Sequence, residues 1–254
     1  MWSMNVLKKL RARWSSANPA HEAKRRKAAD RERQEAFLEA MDDSTYLQAY
    51  SADSDNRIRQ DPAAGIGGLW DEMGEKQLAF IRKQDLRIEH KLLDIGCGTL
   101  RAGRLFIRFL EPGNYTGFDL SKEAINQAER LVQVEDLSDK QPVLLHNPSG
   151  ALDFSIVDGA RFNFLLAQSV FSHLRESHID QCFANLHRVM APGAKFFFTY
   201  LPSERAKPRR GKNICHSEAT IRAISARYGF SLKTHHEYDH PREQEMMEAF
   251  VEGG

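Results

Sequence analysis

The distribution of apolar and polar residues along the chain changes near residue 68. After that point, short apolar runs alternate with segments in which apolar residues recur every three or four positions. Short apolar runs bounded by turn residues are typical of buried strands, and the periodic segments are typical of amphipathic helices. A chain that alternates in this way favours a parallel sheet with right-handed helical crossovers.

The predicted elements follow this alternation to the end of the chain. We predict strands at residues 91–95, 114–120, 142–145, 162–168, 194–201, 230–236 and 245–251. We predict helices at residues 69–83, 100–110, 121–132, 176–190 and 217–228.

The chain before this region has a different character. Residues 51–68 contain one proline and three glycines, which we expect to break any helical pattern: Pro62, Gly65, Gly67 and Gly68. We therefore predict an N-terminal arm at 1–64 and a single domain at 65–254. Within the arm, the spacing of apolar residues predicts a short basic amphipathic helix before Asn18-Pro19 and a charged helix at 21–41.

Composition is that of a globular protein with one basic end. The chain has 254 residues, of which 41% are hydrophobic and 28% charged, which is ordinary for one α/β domain with an appendage. Residues 1–40 hold ten Lys and Arg against five Asp and Glu, although the formal net charge of the whole chain is only +1. Only the arm is therefore basic.

Cysteine usage and hydropathy indicate a cytoplasmic protein. Cys97, Cys182 and Cys215 lie far apart, so neither a disulfide framework nor a cysteine zinc site is indicated. No stretch approaches the roughly 20 apolar residues of a membrane span, and the N-terminus lacks the apolar run of a signal peptide.

The first strand-to-helix turn has the sequence DIGCGT. Ligands of doubly wound sheets lie at the carboxyl ends of the strands, where glycines such as Gly96 and Gly98 let the backbone approach closely. An ordinary tight turn is the alternative. Asp119 ends the second predicted strand and can accept both hydroxyls of a ribose, although it can also cap the next helix. The two signals together predict a nucleoside site.

The same turn narrows the choice of nucleoside. A dinucleotide turn would read GxGxxG, but Arg101 follows GCGTL, and the chain has no GxxxxGK[ST] phosphate loop. A nucleoside without phosphates therefore fits best.

Four segments resemble, in order, the successive motifs of the class I S-adenosylmethionine-dependent methyltransferases. They are LLDIGCGT, GFDLS, FNFLLAQSVFSHL and LHRVMAPGAKFFFTY. The resemblance spans about residues 65–252 and is specific to the superfamily, not to a substrate. It implies a doubly wound, Rossmann-like α/β fold with a seven-stranded, mostly parallel sheet, here with an N-terminal helical extension, and S-adenosylmethionine as cofactor. More narrowly, IGGLWDEMGEKQ and DHPREQ look similar to bacterial small-molecule methyltransferases.

The resemblance also implies roles for individual residues. Residues on the methionine and ribose side of the cofactor would be Asp94, Gly96, Cys97 and Gly98. Asp119 would bind the ribose hydroxyls, and Leu120 would touch the adenine.

Further roles are implied at the next two strand ends. An acidic residue followed by an aromatic one, at the end of the third strand, would bond the adenine amino group; Asp153-Phe154 is the best match and Asp158 its rival. Gln168 and Ser169, at the end of the fourth strand, would contact the cofactor and acceptor near the transferred methyl group.

The chain departs from the family pattern at two positions. Leu100 stands where many members have a third glycine, and Asn163 stands where many have an acidic residue. These departures put in doubt the exact path of the glycine turn and the start of the fourth strand.

Methyl transfer depends mainly on alignment with water excluded, so no metal is required. A hydroxyl acceptor needs a general base, and His173, just beyond the fourth strand, is the preferred candidate, with Gln168 as a second catalytic residue. A structural role, in which His173 caps or packs against the next helix, explains this residue about as well as catalysis does. Other candidate bases are His146, His178, His235, His236 and His240.

Two basic segments bear on partners. Arg205, Arg209 and Arg210 follow the fifth strand and are candidates to bind an anionic acceptor, unless that loop is only solvated. The basic N-terminal helix could contact a membrane surface or nucleic acid, but a lid or a subunit contact is at least as good an explanation. The oligomeric state stays open.

We therefore predict an enzyme that methylates an oxygen or nitrogen of a small molecule. Nucleic-acid methylation is a weaker alternative, because AQSV replaces the Asn/Asp-Pro-Pro-aromatic signature and no Pro-Cys nucleophile is present. A module that binds the cofactor without turning it over is the alternative from a different class.

Overall fold

A computed structural model describes residues 42–62, 68–204, 207–209 and 213–252. The compact unit that contains the sheet begins at Asp43. The two helices predicted within residues 1–41 lie outside the described residues. None of the described helices is long and apolar enough to cross a membrane.

The described residues contain six α-helices and nine strands. The helices are α1 (Asp43–Gln60), α2 (Trp70–Lys83), α3 (Gly103–Phe109), α4 (Lys122–Val134), α5 (Glu176–Asn185) and α6 (Glu218–Arg227). The strands are β1 (Leu92–Ile95), β2 (Tyr115–Asp119), β3 (Val143–His146), β4 (Phe162–Ala167), β5 (Met190–Pro202), β6 (Lys207–Arg209), β7 (Asn213–His216), β8 (Ser231–His235) and β9 (Glu245–Phe250).

The main sheet confirms the predicted fold class. Its seven strands run in the order β3-β2-β1-β4-β5-β9-β8, and only β9 is antiparallel to its neighbours. The strands β6 and β7 form an additional antiparallel hairpin that was not predicted, and β7 continues beside the end of β5. The carboxyl ends of β1, β2, β4, β5 and β8 therefore meet at one edge, which we call the carboxyl edge.

The expected helix break at residues 51–68 is wrong for its first ten residues. Helix α1 continues through them to Gln60. Pro62 lies beyond the helix end, where its missing N–H and fixed φ cannot disturb the α1 hydrogen bonds. The ion pairs of Arg57 with Asp53 and of Arg59 with Asp55, each 3.8 Å long, follow the i,i+4 spacing of a helix. Helix α1 thus belongs to the same compact unit as the sheet.

The core is built on the strand β5. Phe196, Phe197 and Phe198 follow one another in sequence and all are fully buried. Successive strand residues point to opposite faces, so three buried neighbours require helices on both faces of the sheet. The ring of Phe198 stacks on Phe171 at 4.6 Å, and Phe197 meets Phe80 of α2 edge-on at 5.7 Å.

A buried histidine links the last two strands. His235 of β8 lies 2.9 Å from Oε2 of Glu248 in β9 and 2.8 Å from Oε1 of Glu237. Burial alone would lower the pKa of His235, but the two glutamates outweigh it and raise that pKa. Burial would raise the pKa of Glu248, but its bond to His235 and the charges of Lys195, His235 and Lys233 together lower that pKa.

The Glu248→Gln variant tests this pair. A raised histidine pKa contributes stability that is present below the ordinary value of 6.5 and is lost as pH rises through the folded-state pKa. We expect the variant to lower the free energy of unfolding more at pH about 6 than at pH about 8.5. Urea unfolding at both pH values measures this difference. The exposed Glu129→Gln change on α4 is the control, and an equal loss at both pH values would contradict the assignment.

Candidate active site

The glycine turn that follows β1 is held against β2. The backbone N–H groups of Gly96 and Cys97 both donate to the carbonyl of Phe118, at 2.8 and 3.1 Å. Gly96 and Gly98 have φ values of +70° and +57°, which side chains disfavour. A Cβ on Gly96 would also lie 2.7 Å from Cγ2 of Val170. Position 96 therefore requires glycine, because of its positive φ and because Val170 leaves no room for a side chain.

Two side chains of this turn face the core. Cys97 is buried, and a Cβ on Gly117 would lie 2.9 Å from the Cβ of Cys97. Leu100, which replaces the third glycine, keeps a glycine-like φ of +67° and is fully buried. That conformation costs about 1–2 kcal/mol, which the burial of a leucine side chain offsets. The turn therefore follows the glycine-like path despite the substitution.

Asp94 is buried beneath the turn and bonded to a tyrosine. The hydroxyl of Tyr115 donates to Oδ2 of Asp94 at 2.7 Å. Burial raises the pKa of Asp94 to about 7; Asp119 adds to the increase, while Tyr115 and Arg101 oppose it. A Cβ on Gly103 would lie only 2.4 Å from the Tyr115 hydroxyl oxygen, so Gly103 makes room for that hydroxyl. The sequence reasoning missed Tyr115.

Asp119 joins the turns that follow β1 and β2. Its Oδ2 accepts from the N–H of Gly98 at 3.0 Å, and its Oδ1 accepts from the N–H of Ser121 at 2.8 Å. Ser121, not Asp119, caps α4 by accepting from the N–H of Ala124. Burial raises the pKa of Asp119, and the two backbone hydrogen bonds oppose that shift. Each carboxylate oxygen keeps a further lone pair that can accept a ligand hydroxyl.

Leu120 lies beside an apolar surface at the end of β2. A Cβ on Gly150 would lie 3.6 Å from Cδ1 of Leu120 and 3.1 Å from Cδ1 of Leu47 in α1. The carbonyl of Leu120 accepts from the hydroxyl of Ser51 at 3.0 Å and lies 3.2 Å from Nε2 of His146. Leucine side chains from β2 and α1 thus flank the loop after β3.

The placement of Asp153-Phe154 at the end of the third strand is wrong. Strand β3 ends at His146, and Asp153 lies in the following loop, where Oδ1 accepts from the N–H of Ser155 at 3.0 Å. This bond lowers the pKa of Asp153. Phe154 is buried with a φ of +57°, and Asp158 lies 3.1 Å from Arg188.

The residue that follows β3 directly is Asn147, which the sequence reasoning missed. It is buried, its Nδ2 donates to the carbonyl of Ala151 at 2.8 Å, and its Oδ1 accepts from the hydroxyl of Ser149 at 2.9 Å. The two bonds fix the loop at the adenine side of the implied site.

The end of β4 is tied to the loop between β8 and β9. Oε1 of Gln168 accepts from the hydroxyl of Tyr238 at 2.8 Å. The hydroxyl of Thr199 accepts from the N–H of Ser169 at 2.7 Å and donates to Oε1 of Gln244 at 2.6 Å. Gln168 and Ser169 are therefore held in place at the carboxyl edge by residues that the sequence reasoning did not select.

Helix α1 covers this edge and contacts His173. The hydroxyl of Tyr46 donates to the carbonyl of His173 at 2.8 Å, and the ring of Tyr50 lies 5.1 Å from the His173 ring. Burial, followed by the charge of Asp119, raises the pKa of Tyr50. Tyr50 thus lies near both Asp119 and His173.

A carboxylate of α1 also binds the turn after β2. Oδ1 of Asp55 accepts from the hydroxyl of Ser121 and, at 3.1 Å, from the N–H of Glu123. In the sequence, Tyr46 and Tyr50, like Ser51 and Asp55, are four residues apart, as on one face of a helix. That spacing was the available signal for an additional element of the site.

Two groups of predicted residues lie elsewhere or outside the described residues. Nδ1 of His178 accepts from the N–H of Arg175, so His178 stabilises the turn before α5. Arg205 and Arg210 lie outside the described residues, and only the backbone of Arg209 is described, in β6. Among the described residues, no group of three or more His, Cys, Asp or Glu could hold a metal ion.

Comparisons with known proteins agree with this geometry. Residues 93–196 match the protein-family model described as a methyltransferase domain. Magnesium protoporphyrin IX methyltransferase from Synechocystis PCC 6803, solved with bound S-adenosylmethionine, is 18% identical with a TM-score of 0.62, covering 84% of this chain and 98% of that one. A Leishmania major S-adenosylmethionine-dependent methyltransferase is 16% identical with a TM-score of 0.62, covering 82% and 84%.

A third structure has the same fold. A glycopeptide N-methyltransferase is 13% identical with a TM-score of 0.56, covering 70% of this chain and 90% of that one. The matched domain, the strand order and the glycine turn after β1 all indicate a methyltransferase fold. Residues 93–196 therefore carry a methyltransferase domain, and the chain shares the fold of S-adenosylmethionine-dependent methyltransferases.

Proposed function

We propose that this enzyme transfers a methyl group from S-adenosylmethionine to an oxygen or nitrogen of a small-molecule acceptor. One observation carries the proposal: the carboxylate of Asp119 is bound to the glycine turn at the same edge where Gln168 and His173 lie. This arrangement supports a ribose position and a reaction position side by side.

The residues present fit the nucleoside part of the cofactor. Asp119 supplies the acceptors that a ribose diol needs, and Gly96 and Gly98 have no side chains that would exclude a ligand from the turn. Leu120 and Leu47 supply an apolar surface suited to adenine. Asp94 lies beneath the same turn, and a cationic ligand there would favour its charged form against the burial that raises its pKa.

The proposed chemistry depends mainly on alignment. When bound, S-adenosylmethionine supplies a methyl group on a positively charged sulfur, which is already a strong electrophile. Gln168, whose side chain is fixed by Tyr238, would orient the acceptor or the donor, and Ser169 would contact the acceptor. His173 would take the proton from an acceptor hydroxyl or amine.

A small acceptor fits the covered edge. Helix α1 lies over the ends of β2 and β4, through Ser51 and Tyr46, which limits the room for a long polymer. Two similar structures are named for a porphyrin and a glycopeptide substrate. We also propose that Arg205, Arg209 and Arg210, which follow β5, bind an anionic group of the acceptor.

Asp119→Asn tests the cofactor site. An amide presents one acceptor oxygen where the carboxylate has two, so the variant loses bonds both to the turn and to the ribose. We expect the Kd for S-adenosylhomocysteine to rise about tenfold or more, as measured by calorimetry. Asp139→Asn, at an exposed position, is the matched control. Unchanged affinity in Asp119→Asn would refute the ribose assignment.

His173→Asn tests the proposed base. Removal of a general base lowers kcat by about a hundredfold or more, while cofactor affinity should stay the same because the backbone carbonyl bound by Tyr46 is retained. The variant should also lose the decline in kcat/KM on the acid side that protonation of a base produces. The exposed His187→Asn change, before β5, is the control. Equal kinetics in both variants would exclude His173 as the base.

Transfer of labelled methyl groups identifies the acceptor class. The full chain would be incubated with labelled S-adenosylmethionine and with separate fractions of metabolites, nucleic acid and protein. We expect label in the metabolite fraction. Label only in nucleic acid would support the alternative enzyme, and binding of the cofactor without label in any fraction would support a non-catalytic module.

A further inference from the structure

The loop between β8 and β9, residues 236–244, is held at the carboxyl edge by hydrogen bonds to three other elements. Tyr238 binds Gln168 at the end of β4, Gln244 binds Thr199 of β5, and Nζ of Lys76 in α2 donates to the carbonyl of Asp239. The loop is therefore attached to three elements and lies beside the proposed reaction position.

His240 lies buried at the centre of this loop. Its exposed fraction is 8%, and its Nδ1 accepts from the N–H of Arg242 at 3.1 Å. Because Nδ1 is the acceptor, the neutral imidazole carries its proton on Nε2, which is then a donor. Burial, together with the charges of Arg101, Arg242 and Lys76, lowers the pKa of His240 to about 4.

Three charged neighbours of His240 are positive. Arg101, Arg242 and Lys76 each lower its pKa. The loop also contains the acidic residues Asp239 and Glu243, and the N–H of Glu243 donates to the carbonyl of His240 at 3.1 Å. Arg101 follows the glycine turn, and its guanidinium donates to the carbonyl of Gly68 at 2.9 Å. The charges of Arg101 and Arg242 also oppose one another, which contributes to the lowered pKa of Arg101. Like charges gathered around a buried imidazole favour the binding of an anion.

His235, at the end of β8 just before this loop, has the opposite surroundings. It is paired with Glu248 and Glu237, which raise its pKa. The positive charges near His240 therefore come from the loop, Arg101 and Lys76, and His235 does not share them.

We propose that Arg101, Arg242, Lys76 and His240 bind an anionic group of the methyl acceptor, a carboxylate or a phosphate. The inference rests on the proposed function and deepens it, because it names the acceptor as an acid and places its charged group beside Gln168. Guanidinium and ammonium groups with a neutral imidazole N–H offer only donors to such a group.

Sulfate binding to the full chain tests this site, since sulfate keeps its charge throughout a histidine titration. With S-adenosylhomocysteine at saturation, we expect sulfate to bind the wild type and Arg242→Gln to raise the Kd for sulfate about tenfold. Arg130→Gln, an exposed arginine on α4, should leave that Kd unchanged. In the wild type, sulfate should raise the pKa of His240, followed by NMR and assigned with His240→Asn.

Two results would overturn the proposal. If sulfate competes with S-adenosylhomocysteine, the cluster binds the carboxylate of the cofactor and not the acceptor. If Arg242→Gln and Arg130→Gln bind sulfate equally, the cluster is not an anion site. Failure of S-adenosylhomocysteine to bind the wild type would instead refute the proposed function, and sulfate titration without it would still test the cluster.

Discussion

The hydrogen bond from the N–H of Gly98 to the carboxylate of Asp119 is the interaction on which the site depends. It joins the turn after β1 to the end of β2, and the second oxygen of Asp119 fixes the start of α4 through Ser121. A buried carboxylate is costly without such partners, and its two backbone bonds favour the charged form. The same bonds orient the remaining lone pairs toward the carboxyl edge.

Helix α1 builds a second layer on this arrangement. Asp55 binds Ser121, the residue that Asp119 already holds, and Ser51 binds the carbonyl of Leu120. One turn earlier along α1, Tyr46 and Tyr50 contact His173 beyond β4. The helix therefore connects the ribose side of the site with the reaction side, and a displacement of α1 would affect both.

The pattern of apolar residues predicted the strands of the sheet well, but it did not predict helix α1, which covers the carboxyl edge. Strands such as β4 and β5 are buried on both faces, so their apolar runs are long and bounded by turn residues. Strand β3 was predicted at 142–145, close to its observed bounds, but Asp153 was placed at its end although it lies seven residues beyond His146. Helix α1 was not predicted, because its apolar face is weak and its partners are polar groups distant in sequence.

Leu100 shows why a motif departure need not change a site. Its backbone takes the conformation of the expected glycine, and its side chain joins the core under the turn. The sequence showed only the substitution, because the compensating burial depends on tertiary packing. The polar contacts of Tyr115 with Asp94 and of Tyr238 with Gln168 escape sequence reasoning for the same reason, as each joins separate elements.

The electrostatics of the edge divide it into two sides. Asp94, Asp119 and Asp55 lie on the side of β1 and β2, and Asp55 and Asp119 each raise the pKa of a neighbouring carboxyl. On the side of the β8–β9 loop, Arg101 and Arg242 lower the pKa of His240. Arg101 is influenced by both sides, since Asp94 raises its pKa and Arg242 lowers it. With the acceptor proposed above, the charge pattern would place the cationic donor on the first side and the anionic group on the second.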